Sequence, residues 1–143
     1  MIASLNPFLN FAGDAKAAIA LYEKALGAKV EAIMPWTAEM MGGGDVPPGM
    51  TDKVMYAKLA IGNGAIELSD VPPGIEVGVG NNHQVILHIE TPDKLDKIFN
   101  ALGDGGEVQM PPENMFWGAR YAKLVDRFGI SWAFHCQLEP PPQ

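Results

Sequence analysis

An α+β protein built from one βαβββ unit used twice is what this sequence predicts, and three observations predict it. A helix-and-stop pattern occurs at two places. Each copy follows one strand-like run and precedes three more, and the last two runs of each set are joined by a hairpin signal. Matching points lie 76 to 78 positions apart, from Gly27 to Gly103 and from Val30 to Val108. A single unit leaves one sheet face bare and cannot bury it alone, so two units are expected to pair.

The elements follow in order. "SLNPFLNF" (4–11) reads as the first strand. In "DAKAAIALYEKALG", residues Ala18, Ile19, Tyr22, Ala25 and Leu26 recur at the spacing of one helical face. Asp14 is placed to cap that helix, Lys24 sits in its last turn and Gly27 supplies a left-handed stop. Three strands are then expected in "AKVEAIMPW" (28–36), "KVMYAKLAI" (53–61) and "AIELSDV" (65–71), the last two joined through Gly62-Asn63-Gly64, where Asn-Gly signals a hairpin tip. The second copy opens with "HQVILHI" (83–89). Its helix runs from a capping Thr91 and Pro92 through Leu95, Ile98, Phe99 and Leu102 to Gly103. "EVQM" (107–110), "ARYAKLV" (119–125) and "ISWAFHC" (130–136) complete it, with "DRFG" (126–129) as the last turn.

This organisation is read as a single domain over 1–143, with modules at about 1–70 and 83–138, a Pro/Gly-rich connector at 71–82 and a disordered tail, "EPPPQ", at 139–143. The segment 35–52 is long for a loop in a compact domain and reads as a lid, a binding loop or a partner-contacting arm. Met34, Met40, Met41, Met50 and Met55 surround it, a composition that suits an adaptable surface.

Composition excludes several classes. A hydrophobic content of 48% is enough for a core. The net charge of −7 argues against nucleic-acid and anionic-membrane partners, which attract basic patches. The opening residues have neither a basic flank nor a long apolar run, so no signal peptide and no membrane span is expected. With Cys136 alone an intramolecular disulfide is impossible, and a cytoplasmic location is the default; the thiol reads as a small packed residue. A Ser-centred elbow, a phosphate-binding glycine loop, Cys-x-x-Cys and His-Glu-x-x-His are all missing.

Period-two alternation separates two strand faces. One carries Ala57, Leu59, Ile66, Leu68, Val85, Leu87, Trp132 and Phe134, a set expected under the helices. The other carries Tyr56, Lys58, Glu67, Ser69, Gln84, His88 and His135. If Val125 pairs with Ile130 across "DRFG", Arg120 joins this second face. A solvated antiparallel sheet alternates in the same way, so the pattern alone does not make a site. Lys58 and Glu67 nearly oppose each other and are expected to neutralise one another. Arg120 is expected either to clamp an anionic oxygen or to pair with Glu67. Trp117 with Phe116, and Trp36, suit an aromatic wall for an apolar ligand.

The repeated pattern and four fragments, "NPFLNFAGDAKAAIALYEKALGA", "IGNGAIELSD", "FWGARYAKLVDRFGISW" and the Pro/Gly connector, resemble the vicinal oxygen chelate superfamily (glyoxalase, bleomycin-resistance proteins and dioxygenases), and within it the PhnB-like, demethylubiquinone methyltransferase-like branch. The methyltransferase label has no support in the residues, because no glycine-rich strand-to-helix turn of a nucleotide-binding fold is present. The resemblance implies a half-open, glyoxalase-like barrel around a cleft, and a homodimer. Carried over by position, the metal-ligand sites of such families fall at Pro7, Glu67, Gln84 and Ala133, with Pro7 and Leu9 facing inward; polarity alone would instead expose Asn6 and Asn10. Pro7 and Ala133 have no ligating side chain and Gln84 is a weak donor, so no metal or other cofactor is expected.

The expected function is therefore binding of a small organic molecule, with Tyr56, Lys58, Glu67, Gln84, His88, Trp117, Arg120 and His135 as its contacts. Whether any reaction is catalysed is left open, with Glu67, His88 and Tyr56 as candidates for acid–base work. The alternative is a metal-dependent lyase, isomerase or oxygenase holding a divalent ion on Glu67, His88 and His135.

Overall fold

A computed structural model describes residues 1–39 and 42–138. The chain divides into two compact units, Met1–Gly78 and Val79–Gln143. The expectations for Met40, Met41 and the 139–143 tail fall outside the described residues.

The first unit contains β1 (Phe8–Phe11), α1 (Ala15–Leu26), β2 (Lys29–Pro35), β3 (Val54–Ile61) and β4 (Gly64–Asp70). Its sheet has the order β1-β4-β3-β2, with β1 parallel to β4 and the other pairs antiparallel. Helix α1 buries Ala15, Ala18, Ile19, Leu21, Tyr22 and Ala25, and it contacts β3 and β4, whose Ala57, Leu59, Ile66 and Leu68 are also buried. Gly27 ends the helix at φ 65°, the left-handed value that glycine adopts without a Cβ clash.

Asp14 occupies the cap position of α1, but its side chain makes no capping bond. The carboxylate of Asp70, at the end of β4, does the work instead. Its Oδ1 accepts from the Gly13 and Ala15 N–H groups at 2.9 and 3.0 Å, and its Oδ2 accepts from Val54 N–H at 2.9 Å. The helix start is thereby fastened to two strands. The β3–β4 hairpin turns on Gly62-Asn63, not Asn63-Gly64. Ile61 pairs with Gly64, and Gly62 takes the positive φ at the first loop position, as in a type II′ turn.

The second unit contains β5 (Val85–His88), α2 (Pro92–Leu102), β6 (Glu107–Asn114), β7 (Ala119–Val125) and β8 (Ser131–Gln137). Its sheet order is β5-β8-β7-β6, with β5 parallel to β8. Thr91 Oγ1 accepts from Lys94 N–H at 3.2 Å and Pro92 takes the first turn, as the sequence predicts. Gly103, however, is right-handed. A Cβ there would lie 2.9 Å from the Phe99 carbonyl oxygen, so close approach demands the glycine and a left-handed stop does not. Strand β6 is twice the predicted length because it continues through Pro111 and Pro112, which an edge strand with a register shift tolerates.

The turn at "DRFG" contains one residue more than expected. Asp126 N–H donates to Ile130 O at 2.8 Å, Gly129 N–H donates to Asp126 O at 2.9 Å, and Gly129 sits at φ 88°. This is a three-residue loop closing on a left-handed glycine. Val125 consequently pairs with Ser131, not with Ile130, and the face assignment along β7 inverts.

Candidate functional site

On each sheet the face turned away from its own helix carries the mixed side chains. In the first unit the parallel register aligns Phe8 with Glu67 and Asn10 with Ser69, while Leu9 aligns with Leu68 on the helix-covered face. The expectation that Pro7 and Leu9 face inward is thus one residue out of phase. Pro7 precedes β1 and contributes its carbonyl to Glu67 N–H at 2.9 Å, and Phe8 is the residue beside Glu67.

Lys58 and Glu67 do oppose each other in the register, yet they do not pair. The bulge in β2 between Val30 and Ala32 brings Glu31 to Lys58, with Nζ 3.7 Å from Oε2. Glu67 Oε1 instead accepts a 2.5 Å hydrogen bond from the Tyr56 hydroxyl, on the neighbouring diagonal. The Phe8 ring lies 6.4 Å from the Tyr56 ring. An apolar ring, a phenol and a carboxylate therefore meet on one face, and the second oxygen of Glu67 has no hydrogen-bond donor among the described residues.

The Tyr56 phenol is pushed above its usual 10.0, first by the hydrogen bond to Glu67, then by burial and by the charges of Glu67 and Glu31. A folded-state value raised above the unfolded one stabilises the fold fully below about pH 10 and loses that contribution as pH rises through the raised value. Titrating the Tyr ring signals by NMR should place Tyr56 above the free-phenol value. Glu67→Gln should bring it down toward that value; an unchanged midpoint would rule out Glu67 as the cause.

In the second unit, β5 and β8 align His88 with His135 and Ile86 with Ala133. The two imidazoles lie 5.2 Å apart between ring centres, at 63°. Across β8, His135 faces Tyr121 and Ala133 faces Lys123. Tyr121 is 6.2 Å from Trp117, which stands 5.1 Å from Phe116 at the β6–β7 turn. Gln84 stands exposed just before β5.

Arg120 does not belong to this face. The longer turn puts it with Cys136 on the helix side, where its Nε and Nη2 donate to the two oxygens of Asp96 on α2 at 2.8 and 3.1 Å, and its Nη1 donates to Asn114 at 3.0 Å. The Asp96 hydrogen bonds and charge hold the guanidinium above its ordinary value, so this arginine is a strut and does not pair with Glu67. Trp36 is likewise tied into the first unit, its indole N–H donating to the Asp70 carbonyl at 3.3 Å. Met50, within the long 35–52 segment, is buried.

Phe8, Tyr121 and Lys123 are the residues that sequence reasoning missed. The signal that finds the last two is the Asp-x-x-Gly turn read as a three-residue loop, which shifts β7 by one position. Among the described residues, no group of three or more His, Cys, Asp or Glu side chains is placed to hold a metal ion. Among the described residues, no helix is long and apolar enough to cross a membrane.

Comparison with known proteins follows the same lines. A family model described as Glyoxalase/Bleomycin resistance protein/Dioxygenase superfamily matches residues 4–134. The chain is 26% identical to Protein YjdN of Escherichia coli over 147 aligned positions, covering 97% of this chain and 99% of that one. Among solved structures, protein PA1353 from Pseudomonas aeruginosa superposes with a TM-score of 0.80 at 33% identity, covering 95% of this chain and all of the other. A PhnB protein from Bacillus cereus, described as a putative 3-demethylubiquinone-9 3-methyltransferase, gives 0.78 at 19% identity, covering 93% and 98%; that likeness is one of fold.

Proposed function

Because this chain belongs to the Glyoxalase/Bleomycin resistance protein/Dioxygenase superfamily, we propose that it binds a small, partly apolar organic molecule and does so without a resident divalent metal. The observation that carries this reading is the chemistry of the helix-averted faces. Aromatic rings stand beside polar groups there: Phe8 and Tyr56 with Glu67, and Tyr121 and Trp117 with His88 and His135. Such a mixture suits recognition of an organic molecule with a few polar atoms. At the positions to which the resemblance carries metal ligands, Ala133 and the exposed Gln84 offer little, and Phe8 takes the face position that Pro7 was expected to fill. Glu67 is the one strong donor, and its Oε1 is already engaged by Tyr56. One carboxylate does not hold a divalent ion.

The protein would act as a cytoplasmic homodimer, by sequestering or sensing its ligand or by proton transfer through Glu67. A thermal-shift screen of small organic molecules in chelator-treated buffer tests the reading. A stabiliser that works equally well with and without added zinc, iron, manganese or nickel is expected; the absence of any stabiliser would overturn it.

One observation favours a second reading, a metal-dependent lyase, isomerase or oxygenase. His88 and His135 stand side by side, and two imidazoles are a common start for a metal site. Elemental analysis of protein purified without chelators separates the two. Near-stoichiometric metal lost in His88→Ala supports the enzyme, and metal-free protein supports the binding protein.

A further inference from the structure

Among the described residues, Lys123 has no anionic partner. It is half-buried on β7, and among the described residues it makes no ion pair; its one ring contact places Nζ 6.0 Å from the centre of Tyr121. Lys58, Lys94, Arg120 and Arg127 have carboxylate partners, at Glu31, Glu90, Asp96 and Asp104; among the lysines with no ion pair between described residues, Lys123 is set apart by its place beside an aromatic ring. The neighbours of Lys123 across the strands are Met110 on one side and Ala133 on the other, neither of them charged. Glu113 on β6 faces Tyr121, two positions along from Lys123 on the same side of β7, and no ion pair joins it to Lys123. A lysine whose stem packs on the sheet and whose ammonium has no carboxylate beside it among the described residues is open to an anion from outside.

What lies beside it has a definite chemistry. Tyr121, His135 and His88 form a row of rings across three strands, extended by Trp117, which is 38% exposed. Ala133 is buried while His88 is exposed and His135 and Tyr121 are half-buried, so the accessible surface of this face lies along the ring row and not over the alanine. Planar aromatic surface is what such a row accepts, and an oxyanion is what the lysine accepts.

We propose that this face of the second unit is a binding subsite for a planar aromatic carboxylate, with Lys123 taking the carboxylate and Tyr121, His135 and Trp117 taking the ring. The proposal rests on the small-molecule reading above and narrows it to a ligand class. Lysine gives a point charge without a fixed fork, so a single carboxylate suits it and arginine is expected to substitute.

Isothermal titration of the whole chain with 2-naphthoate, and with neutral 2-naphthamide as the shape control, tests it. Wild type should bind the acid more tightly than the amide. Lys123→Met, which keeps the length of the side chain, should weaken the acid by roughly ten- to hundredfold, the worth of a charge-assisted hydrogen bond, and leave the amide unchanged. Lys123→Arg should restore most of the loss, and Trp117→Ala should weaken both probes. Acid binding that is unchanged in Lys123→Met, with melting temperature preserved, would overturn the assignment. If neither probe binds while the screen above finds another stabiliser, this proposal falls and the general reading stands. If no organic molecule binds, both fall.

Discussion

Replacing Asp70 by alanine should destabilise the first unit by about 3–5 kcal/mol, a large part of the stability of a domain this size. The side chain is 1% exposed, and its two oxygens accept three backbone N–H groups, those of Gly13, Ala15 and Val54. Ala15 and Val54 are themselves buried, so water cannot readily replace the lost acceptor. Each abandoned buried donor costs roughly 1–3 kcal/mol, and the half-buried Gly13 N–H lies at the low end of that range. Asp70→Asn should lie between, because the amide keeps one acceptor oxygen and turns its NH2 group toward a backbone donor. Urea denaturation followed by far-UV circular dichroism reads the size of the effect. Amide exchange should show Ala15 losing protection before the rest of α1, and Val54 before the rest of β3. A change below about 1 kcal/mol would mean that the α1 start is held some other way.

The second large effect is expected at Asp126, which is 3% exposed and acts on a turn where Asp70 acts on a helix. Its Oδ1 accepts from Phe128 and Ile130 N–H at 2.9 and 3.0 Å, and its Oδ2 accepts from the Trp132 indole N–H at 2.9 Å. The carboxylate therefore shapes the loop and anchors the largest side chain of the second core, Trp132, which is wholly buried. Asp126→Ala should cost about 3–4 kcal/mol, from two turn N–H groups and one buried indole left without this acceptor. Trp132→Phe in the same background should recover part of the loss by removing the orphaned indole donor, which makes the two changes non-additive. Denaturant midpoints of the two single variants and the double variant check this; strict additivity would show that the indole bond contributes nothing. The same loop sets the register of β7 against β8, so the ligand contacts proposed for Tyr121 and Lys123 should weaken alongside stability.

The Asp126 turn also shows where sequence reading stops. A glycine near the end of "DRFG" marks a hairpin, but whether the loop holds two residues or three depends on where the Asp126 carboxylate finds its donors. One of those donors is Phe128 in the loop, one is Ile130 that closes it, and one is the indole of Trp132 in the strand beyond. Moving the pairing by one residue exchanges Arg120 for Tyr121 and Lys123 on the face of interest, because side chains alternate with a period of two. Phe8 is a similar case. Parallel pairing to β4 sets its phase, and a four-residue strand with asparagine on one side and leucine on the other carries too little pattern to set it locally.

By itself, the sequence determined the α+β class, the repeated βαβββ order, both helices with their apolar stripes, and the membership of Tyr56, Lys58, Glu67, His88 and His135 in the mixed faces. These follow from local periodicity and local turn chemistry, which act over a few residues and are written in the order of the chain. Tertiary structure alone decided the partners: Tyr56 and not Lys58 on Glu67, Asp96 on Arg120, Glu31 on Lys58, and Asp70 at the head of α1. Pairing of charged and polar groups depends on register, bulges and distances between elements far apart in the chain. A single bulge at Glu31 or one extra loop residue at Gly129 redirects it, while the hydrophobic pattern that specifies the fold stays the same.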